Sequence, residues 1–329
     1  MKAWLCENPV GVEALAWREL PTPAPGKGEV LVAIKAASLN YPDLLIVQNK
    51  YQFKPTLPFV PGSEFSGSVV APGPEVTGLR AGRRIACLAG TGGFGTHAVV
   101  PAALCMPLPD EFELTDAAAF IMAYATSYHA LIDRGALKEG ETVLVLGAAG
   151  GVGTAAIQIA KQAGAWVIAA AGSDDKCDFC RQVGADATIN YSVHAPDGSL
   201  RDQIKALTEG RGPDVVYDPV GGALAEPVFR SIAWRGRYLV VGFAGGPVPS
   251  LPLNLPLLKG ASLVGVFWGD FARRKPAANA AMLQTLTAWY LQGKIKPVID
   301  RTLPMTELKS AYALMEQRRV KGKLVLVND

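Results

Sequence analysis

The chain has 329 residues, of which 50% are hydrophobic and 19% are charged. This composition supplies a large apolar core, excludes a wholly disordered chain and predicts about two domains. The 32 basic and 29 acidic residues leave a formal charge of +3, which is too balanced to make nucleic acid the main partner.

The N-terminus does not have the features of a secretory signal, because MKAWLCENPV contains no continuous apolar stretch and no small-residue cleavage site. The uncharged segment 142–160 holds four glycines and changes from β-rich to helical residues, so we expect a strand–turn–helix and no membrane association. The five cysteines are an odd number and are scattered, which predicts reduced thiols and a cytoplasmic protein. Cys177 and Cys180 form the one close pair in the sequence, for which we expect ordinary thiols, with a redox or metal role as the alternative.

Short β segments interrupted by glycine and proline occupy residues 1 to about 110. Strand patterns cover 29–34, 64–70 and 83–88, and a short helical turn is expected near 43–47. This pattern is typical of an irregular, barrel-like β domain. Thr115 is expected to cap the next helix, whose first turn carries Asp116.

Strand and helix patterns alternate from Thr142 onward. The predicted strands are 142–146, 166–170, 187–190, 214–217, 237–241 and 262–267, and the predicted helices between them are 152–163, 174–183, 200–208 and 223–233. Alternation with short turns predicts a parallel, doubly wound α/β sheet. The proline-rich segment 242–260 is expected to be a loop, and the tail, with helices 276–291 and 305–317 and strands 298–303 and 323–327, is expected to fold back onto the N-terminal unit.

A glycine-rich turn joins the first of these strands to its helix. Gly150 and Gly151 allow the backbone to approach a pyrophosphate, and Gly153 allows the helix to pack closely on the strand. The N-terminus of the helix offers N–H groups and a positive dipole end to the anion. We predict a dinucleotide site formed by Ala149, Gly150, Gly151, Val152 and Gly153, with a tight turn that binds no ligand as the alternative.

The second strand indicates which nucleotide binds. An NAD site usually carries Asp or Glu about 20 residues after the glycines, where it binds the ribose 2′-OH. The matching position is near Ala171, so no carboxylate would repel a 2′-phosphate, while Ser173 can donate a hydrogen bond and Lys176 supplies a positive charge. The sequence therefore favours NADPH over NADH. The alternative is that Ser173 only caps the next helix and that the neighbouring aspartates offset the lysine.

Five motifs stand in a fixed order along the chain: ASLNYPD at 37–43, PGSEFSG at 61–67, GAAGGVG at 147–153, YDPVGG at 217–222 and GRYLVVG at 236–242. With these motifs, essentially the whole chain resembles the zinc-independent quinone oxidoreductase branch of the medium-chain dehydrogenase/reductase superfamily. The resemblance implies a GroES-like β-barrel catalytic domain of residues 1–123 and 268–329, a Rossmann NADPH-binding domain of residues 124–267, and an active site in the cleft between the two domains.

The resemblance also implies that both zinc sites of the metal-dependent relatives are absent. Their catalytic zinc ligands match Asn40, Ser63 and Met122, which do not form a normal zinc site. Their structural zinc lobe needs four closely spaced cysteines, whereas Cys87 and Cys105 are far apart in this sequence. Without a Lewis acid, the easier reaction is hydride delivery to an acceptor that is already electrophilic, such as a quinone or another α,β-unsaturated carbonyl.

Further site residues follow from the resemblance, although each of them is equally compatible with a core or surface role. Thr126, Tyr191 and Lys323 are expected to contact the cofactor, and the nicotinamide is expected beside Gly242, Phe243, Val266 and Phe267. On the substrate side, Asn40 can hydrogen-bond the acceptor oxygen, and Tyr51 is either a proton donor or a packing residue. Asp43, Glu64 and the three histidines, His97, His129 and His194, are interpreted as structural.

The nearly uncharged strand 262–268 ends the predicted sheet, and an apolar edge of this kind favours pairing, so we expect a homodimer with a continuous sheet. The chain is thus expected to be an NADPH-dependent, zinc-independent oxidoreductase. The alternatives are an enoyl-thioester (enoyl-CoA) reductase of the same family and an NADPH-binding structural or regulatory protein.

Overall fold

The computed structural model of the chain describes residues 1–192 and 199–329. It divides into two compact units: unit 1 comprises Met1–Met122 and Ile299–Asp329, and unit 2 comprises Ala123–Val298. The sequence had assigned residues 268–298 to the N-terminal unit, and the structure differs here. The reason is aromatic packing within unit 2, where Phe271 stacks on His129 with ring centroids 4.3 Å apart and Trp289 packs on Tyr128 at 5.7 Å.

The secondary-structure elements are numbered in chain order. The strands are β1 (Lys2–Leu5), β2 (Ala16–Glu19), β3 (Glu29–Leu39), β4 (Glu64–Pro72), β5 (Arg84–Leu88), β6 (His97–Pro101), β7 (Cys105–Pro107), β8 (Thr142–Leu146), β9 (Trp166–Ala171), β10 (Ala187–Asn190), β11 (Val215–Asp218), β12 (Arg237–Val240), β13 (Ser262–Gly265), β14 (Ile299–Pro304) and β15 (Lys323–Val327). The α-helices are α1 (Tyr41–Val47), α2 (Leu114–Ala118), α3 (Thr126–Tyr128), α4 (Gly151–Gln162), α5 (Asp174–Val183), α6 (Leu200–Leu207), α7 (Ala225–Ser231), α8 (Asn254–Lys259), α9 (Trp268–Arg274), α10 (Pro276–Leu291) and α11 (Leu308–Glu316).

Unit 1 is built around the long strand β3. Its sheet has the order β14-β15-β3-β4-β5-β7, and β6 pairs with the first half of β3 while β15 pairs with the second half. All of these pairings are antiparallel except β14 with β15. The apolar core between the sheet and α11 includes Phe65, Phe94 and Tyr312, so the C-terminal segment completes the core of the N-terminal unit. This arrangement confirms the predicted GroES-like β domain.

Unit 2 is a parallel sheet with the order β10-β9-β8-β11-β12-β13. Its central strands are runs of valine, leucine, isoleucine and alanine that are buried on both faces, as expected for strands covered by helices on each side. The order confirms the predicted doubly wound fold. The strands all run in the same direction, but the order in which successive strands are added reverses between the neighbours β8 and β11. In such folds ligands bind outside the carboxyl ends of the strands at this reversal of strand order.

Three local predictions are wrong in their details. The segment 242–260 is not all loop, because helix α8 forms within it: Leu255 is buried against the sheet core, and Gly260 ends the helix in the left-handed conformation. Helix α2 begins at Leu114, so Thr115 lies inside the helix and does not cap it. The edge strand β13 ends at Gly265, two residues before the predicted end.

Candidate functional site

The glycine-rich turn follows β8 in unit 2. Gly147 has a φ of 58°, which favours glycine, and α4 begins at Gly151 with Gly150 as its N-cap. A Cβ atom added to Gly153 would lie 2.5 Å from the carbonyl oxygen of Gly147 and 2.6 Å from that of Ala148. Only glycine therefore allows the first turn of α4 to pack this closely on the turn that precedes it, as the sequence predicted.

Gly150 is in a different situation from Gly153. Its φ of −82° suits any residue, and an added Cβ atom would meet only the carbonyl oxygen of Gly147, at an ordinary distance of 3.4 Å. The packing of the protein therefore does not require glycine at this position. The first N–H groups of a helix have no intrahelical acceptor, so the start of α4, with Gly151 and Val152, is suited to an anion.

The end of β9 brings together three residues that were predicted to contact the nucleotide: Ser173, Lys176 and Tyr191. The last residue of the strand is Ala171, whose carbonyl accepts a hydrogen bond from the Tyr191 N–H at 3.0 Å, and the Tyr191 ring lies beside Gly172. The Ser173 hydroxyl accepts a hydrogen bond from the Lys176 N–H at 3.3 Å, so it caps α5. The capping role that the sequence left open is therefore present.

The turn after β11 depends on a carboxylate to which sequence reasoning gave no role. Asp218 Oδ1 accepts hydrogen bonds from the N–H groups of Val220 at 2.7 Å and Gly221 at 2.8 Å, and Oδ2 accepts one from the Tyr238 hydroxyl at 2.5 Å. Burial, followed by the charge of Asp218, raises the pKa of Tyr238, which keeps this phenol protonated. Asp218 is part of the YDPVGG motif at 217–222, so the sequence marks its position but does not indicate its role.

Ser127 was also missed, although it adjoins the predicted Thr126 at the start of α3. Its buried hydroxyl donates a hydrogen bond to the carbonyl of Val152 at 3.0 Å and lies 3.0 Å from the Tyr217 hydroxyl. These contacts attach α3 to the N-terminus of α4 and to β11. Thr126 is therefore held near the glycine-rich turn.

The predicted nicotinamide residues follow β12 and β13, which pair in register with Val240 opposite Gly265. Gly242 donates its N–H to the carbonyl of Asp218 at 3.2 Å, and Phe243 is 39% exposed. Beyond β13, Val266 is buried and Phe267 is 58% exposed. These four residues therefore lie on neighbouring connections at the carboxyl edge of the sheet, as expected.

A buried polar cluster lies in unit 1 and is centred on Glu64, for which the sequence predicts only a structural role. Asn40 donates its Nδ2–H to Glu64 Oε2 at 3.0 Å, and the Lys323 ammonium donates to Asn40 Oδ1 at 2.5 Å while lying 3.4 Å from Glu64 Oε2. The hydroxyl of Ser38 and the N–H of Met122 complete the shell of donors around Glu64, at 2.9 Å and 2.8 Å. Lys323, predicted to contact the cofactor, is only 5% exposed, and its ammonium belongs to this cluster.

Asp43 extends the cluster to Ser63. Its carboxylate accepts hydrogen bonds from the N–H groups of Asn40 at 2.8 Å and Ser63 at 2.9 Å. Burial raises the pKa of Asp43 to about 6, although these donors and the charge of Lys323 oppose the rise. Asp43 and Glu64 together thus gather Asn40, Ser63 and Met122, the three positions at which the resemblance described above places the metal ligands of zinc-dependent relatives. Among residues 1–192 and 199–329, no group of three His, Cys, Asp or Glu side chains is arranged to hold a metal ion.

Tyr51 is half-buried and packs against the core of unit 1. Burial, followed by the negative charge of Asp43, raises its pKa, so the phenol is protonated at neutral pH. A protonated phenol can donate a hydrogen bond or a proton. The structure is compatible with both the donor role and the packing role that the sequence left open.

Two further groups of residues were expected to play no part in the site. The sequence treated Cys87 and Cys105 as far apart, yet they lie directly opposite each other on β5 and β7 because the strands pair antiparallel. His97 is half-buried, with Nδ1 3.0 Å from the Thr96 hydroxyl, and His129 lies 2.7 Å from Asp133. His194 lies outside the described residues.

Within the part of the chain that the structure describes, no helix is both long and apolar enough to span a membrane.

The family model described as "Alcohol dehydrogenase GroES-like domain" matches residues 26–110, and the one described as "Zinc-binding dehydrogenase" matches residues 151–286.

Related proteins match nearly the whole chain. The quinone oxidoreductase-like protein 2 of Bos taurus is 38% identical over 299 residues, which cover 91% of this chain and 84% of that protein. The quinone oxidoreductase of Thermus thermophilus, solved alone and with NADPH, is 31% identical, with a TM-score of 0.85 and 100% coverage of both chains. The mycobacterial protein Rv1454c, solved in complex with NADPH, is 28% identical, with a TM-score of 0.91 and the same coverage. The chain therefore belongs to the medium-chain dehydrogenase/reductase superfamily, as an oxidoreductase of its quinone oxidoreductase branch.

Proposed function

We propose that this protein uses NADPH to reduce quinones or other α,β-unsaturated carbonyls without a zinc ion. The observation that carries the proposal is the buried cluster at the metal-ligand positions, where the Lys323 ammonium donates to Asn40 Oδ1. A fixed positive charge at this point opposes the binding of a cation. The chain would then act on acceptors that are electrophilic without a Lewis acid.

The nucleotide would be held by unit 2. The start of α4, with Gly150, Gly151 and Val152, is suited to the pyrophosphate, and Ala171 leaves no carboxylate at the end of β9 to repel a 2′-phosphate. Ser173, Lys176 and Tyr191 surround that strand end, which supports NADPH over NADH. Two relatives solved with NADPH support the same assignment.

In the proposed mechanism, NADPH supplies the hydride when it is bound. The carboxamide of Asn40 is oriented by two neighbours, because its oxygen accepts from Lys323 and one of its two Nδ2 hydrogens is donated to Glu64. The contacts from Nδ2 to Ser38 are both 3.5 Å long and weak, so a second hydrogen is available to the acceptor oxygen. Asn40 would therefore stabilise the negative charge that develops on that oxygen, and Lys323 and Glu64 would act as positioning residues.

Hydride addition leaves an enolate or a hydroquinone anion, which must finally take up a proton. Among the proposed site residues, the Tyr51 phenol is the candidate donor, since its raised pKa keeps the proton in place until a strong base forms beside it. A hydroquinone anion is a weaker base than an enolate and can take its proton from water. Tyr51 would therefore matter more for enones than for quinones.

We also propose that the protein is a cytoplasmic homodimer that pairs through β13. Leu263 on this edge strand is 44% exposed, and Leu257 and Leu258 of α8 are 79% and 67% exposed. An apolar edge strand with further exposed leucines close by in the sequence favours association. Light scattering is expected to give a dimer mass for the wild type and a monomer mass for Val264→Lys, and a monomeric wild type would contradict the proposal.

The function is tested by measuring NADPH oxidation with a panel of quinones, enones and enoyl-CoA esters. We expect turnover with quinones or enones that is unchanged by chelators, and elemental analysis should find no stoichiometric zinc. Turnover confined to enoyl-CoA esters would instead favour the enoyl-thioester reductase. Tight NADPH binding without turnover above background would favour a structural or regulatory role, and zinc that is lost together with activity would contradict the proposal.

A further inference from the structure

Two thiols of unit 1 face each other across neighbouring strands. Cys87 of β5 and Cys105 of β7 are direct partners in the antiparallel ladder, and both are free. Side chains of directly opposed residues lie on the same face of a sheet. Both side chains belong to the apolar core of unit 1, with Cys87 fully buried and Cys105 at the margin of the core.

The hydrogen bonds between the two strands determine how close the thiols are. Leu108 donates its N–H to the carbonyl of Arg84 at 3.0 Å, which makes these residues a hydrogen-bonded pair. Hydrogen-bonded and non-hydrogen-bonded pairs alternate along an antiparallel ladder, so Cys87 and Cys105, three positions further, form a non-hydrogen-bonded pair. In such pairs the Cα atoms are about 4.5 Å apart, which lies within the range of about 4.4–6.8 Å that a disulfide spans.

Cys105 is accessible from one side. It lines a pocket of about 480 Å³, together with Val76, Leu79 and Pro107. The hydrogen bond from the Cys87 thiol lowers the pKa of Cys105, although burial opposes this change, while the same contact, followed by burial, raises the pKa of Cys87. The accessible Cys105 thiol is thus the better nucleophile, and the buried Cys87 thiol beside it stays protonated.

The other pair of thiols provides an internal comparison. Cys177 and Cys180 lie in α5, both are buried, and burial raises the pKa of Cys180 to about 12 and also raises that of Cys177. Neither thiol of this pair is activated in the way that Cys105 is.

We propose that Cys105 and Cys87 form a peroxide-reactive dithiol, in which a small hydroperoxide enters the pocket and the two thiols close to a cross-strand disulfide. In the first step, the Cys105 thiolate attacks one oxygen of the hydroperoxide, so that an S–O bond forms and the O–O bond breaks. The sulfur loses two electrons and becomes a sulfenic acid, and the other oxygen leaves as water or an alcohol after taking up a proton. In the second step, the Cys87 sulfur attacks the Cys105 sulfur, the S–S bond forms, the S–O bond breaks, and the departing hydroxide takes the Cys87 proton as water.

The test treats the full chain, with NADPH present, with equimolar hydrogen peroxide and then maps its peptides without reduction. No Lys or Arg lies between Cys87 and Cys105, so trypsin leaves both in one peptide, whereas chymotrypsin can cut after Phe94 and separate them. We expect a linked Cys87–Cys105 peptide, a loss of two hydrogen atoms per chain, and reversal of both by dithiothreitol. Oxidation confined to other residues would overturn the proposal on the wild type alone.

Variants assign the two roles. In Cys87→Ser, the sulfenic acid on Cys105 should persist and be labelled by dimedone. In Cys105→Ser, the oxidation of Cys87 should be at least about tenfold slower, because thiolate character controls reactivity. The matched control, Cys177→Ala/Cys180→Ala, should form the Cys87–Cys105 link as fast as the wild type. Dimedone labelling of Cys180 in place of Cys105, or unchanged Cys87 oxidation in Cys105→Ser, would refute the assignment.

Discussion

The glycine-rich turn of unit 2 and the polar cluster of unit 1 are built in opposite ways. The turn consists of consecutive residues, 147–153, and it depends on the conformation and close packing of the backbone, not on side chains. The cluster joins Asn40, Glu64 and Lys323, which come from three distant parts of the chain, and it depends on charged side chains that are almost fully buried. Single substitutions should therefore affect the turn mainly through binding and the cluster mainly through stability.

The largest expected effect follows the removal of the buried ammonium. Lys323→Met leaves the Glu64 carboxylate buried without its ion partner and should lower the free energy of unfolding by about 3–5 kcal/mol. Glu64→Gln/Lys323→Met should recover much of the loss, because no charge then remains uncompensated. Urea denaturation measures both variants.

The same substitution on the surface is the control. Lys309→Met breaks an exposed contact with Glu13, whose side chain is 95% exposed, and should cost about 1 kcal/mol or less. If the Lys323→Met protein is as stable as the wild type and has lost only its NADPH affinity, then Lys323 contacts the cofactor, as expected from the sequence.

Removing the Tyr51 hydroxyl separates chemistry from stability within unit 1. Tyr51→Phe should lower kcat on enones by about 100-fold or more, with a smaller loss on quinones and unchanged NADPH affinity. Steady-state kinetics with both acceptor classes measures this effect, and Tyr290→Phe in α10 is a control expected to behave as the wild type. A kcat equal to that of the wild type on every accepted enone would mean that solvent is the acid.

Nucleotide choice is the corresponding test for unit 2. The proposed charge-assisted contact from Lys176 is worth roughly 1.5–3 kcal/mol, which is about 10- to 150-fold in affinity. Lys176→Ala should therefore weaken NADPH binding by that factor and leave NADH binding nearly unchanged, as measured by titration calorimetry. Equal affinities of the wild type for the two nucleotides would falsify the assignment.

Asp43 makes the stability of unit 1 depend on pH. Because its pKa is raised from 3.8 to about 6 in the folded state, the native state holds the proton more tightly than the unfolded state does. Its contribution to stability is fully present below about pH 4 and is lost as the pH rises through about 6. Between about pH 4.5 and 7.5, the free energy of unfolding of the wild type should fall by about 2 kcal/mol relative to Asp43→Asn. A pH-independent difference between the two proteins would show that the carboxyl group does not titrate in this range.

The smallest expected effect distinguishes two glycines of one turn. Gly150→Ala places its methyl group 3.4 Å from the carbonyl oxygen of Gly147, an ordinary contact beside the helix start, so it should leave stability unchanged and weaken NADPH binding by about tenfold, or 1.4 kcal/mol. Gly153→Ala places the methyl group against two carbonyl oxygens and should lower stability as well. Gly269→Ala, where an added Cβ atom would have only an ordinary contact, is the control for both. Thermal unfolding and NADPH fluorescence measure the two properties, and full NADPH affinity in Gly150→Ala would contradict the pyrophosphate role.

Local sequence patterns were sufficient for much of unit 2. Strands β8 and β10 and helix α5 have the predicted bounds, because apolar runs, the Ser173 cap and Gly184 mark their limits within a few residues of sequence. Helix α8 was missed since its stability comes from Leu255 packing into the core, a contact that no local pattern reveals. The assignment of residues 268–298 failed for the same reason, because Phe271 and Trp289 find their ring partners near residues 128–129.

The sequence by itself determined the family, the two fold types and the glycine-rich turn, because each depends on residues that are close together in the chain. Only the tertiary structure decided that Lys323 is held by Asn40 and Glu64, that Asp218 shapes the turn after β11, and that Cys87 faces Cys105. These contacts join residues of separate strands and turns. Their partners are set by strand register and by the requirement that buried polar groups be paired, which are properties of the folded chain.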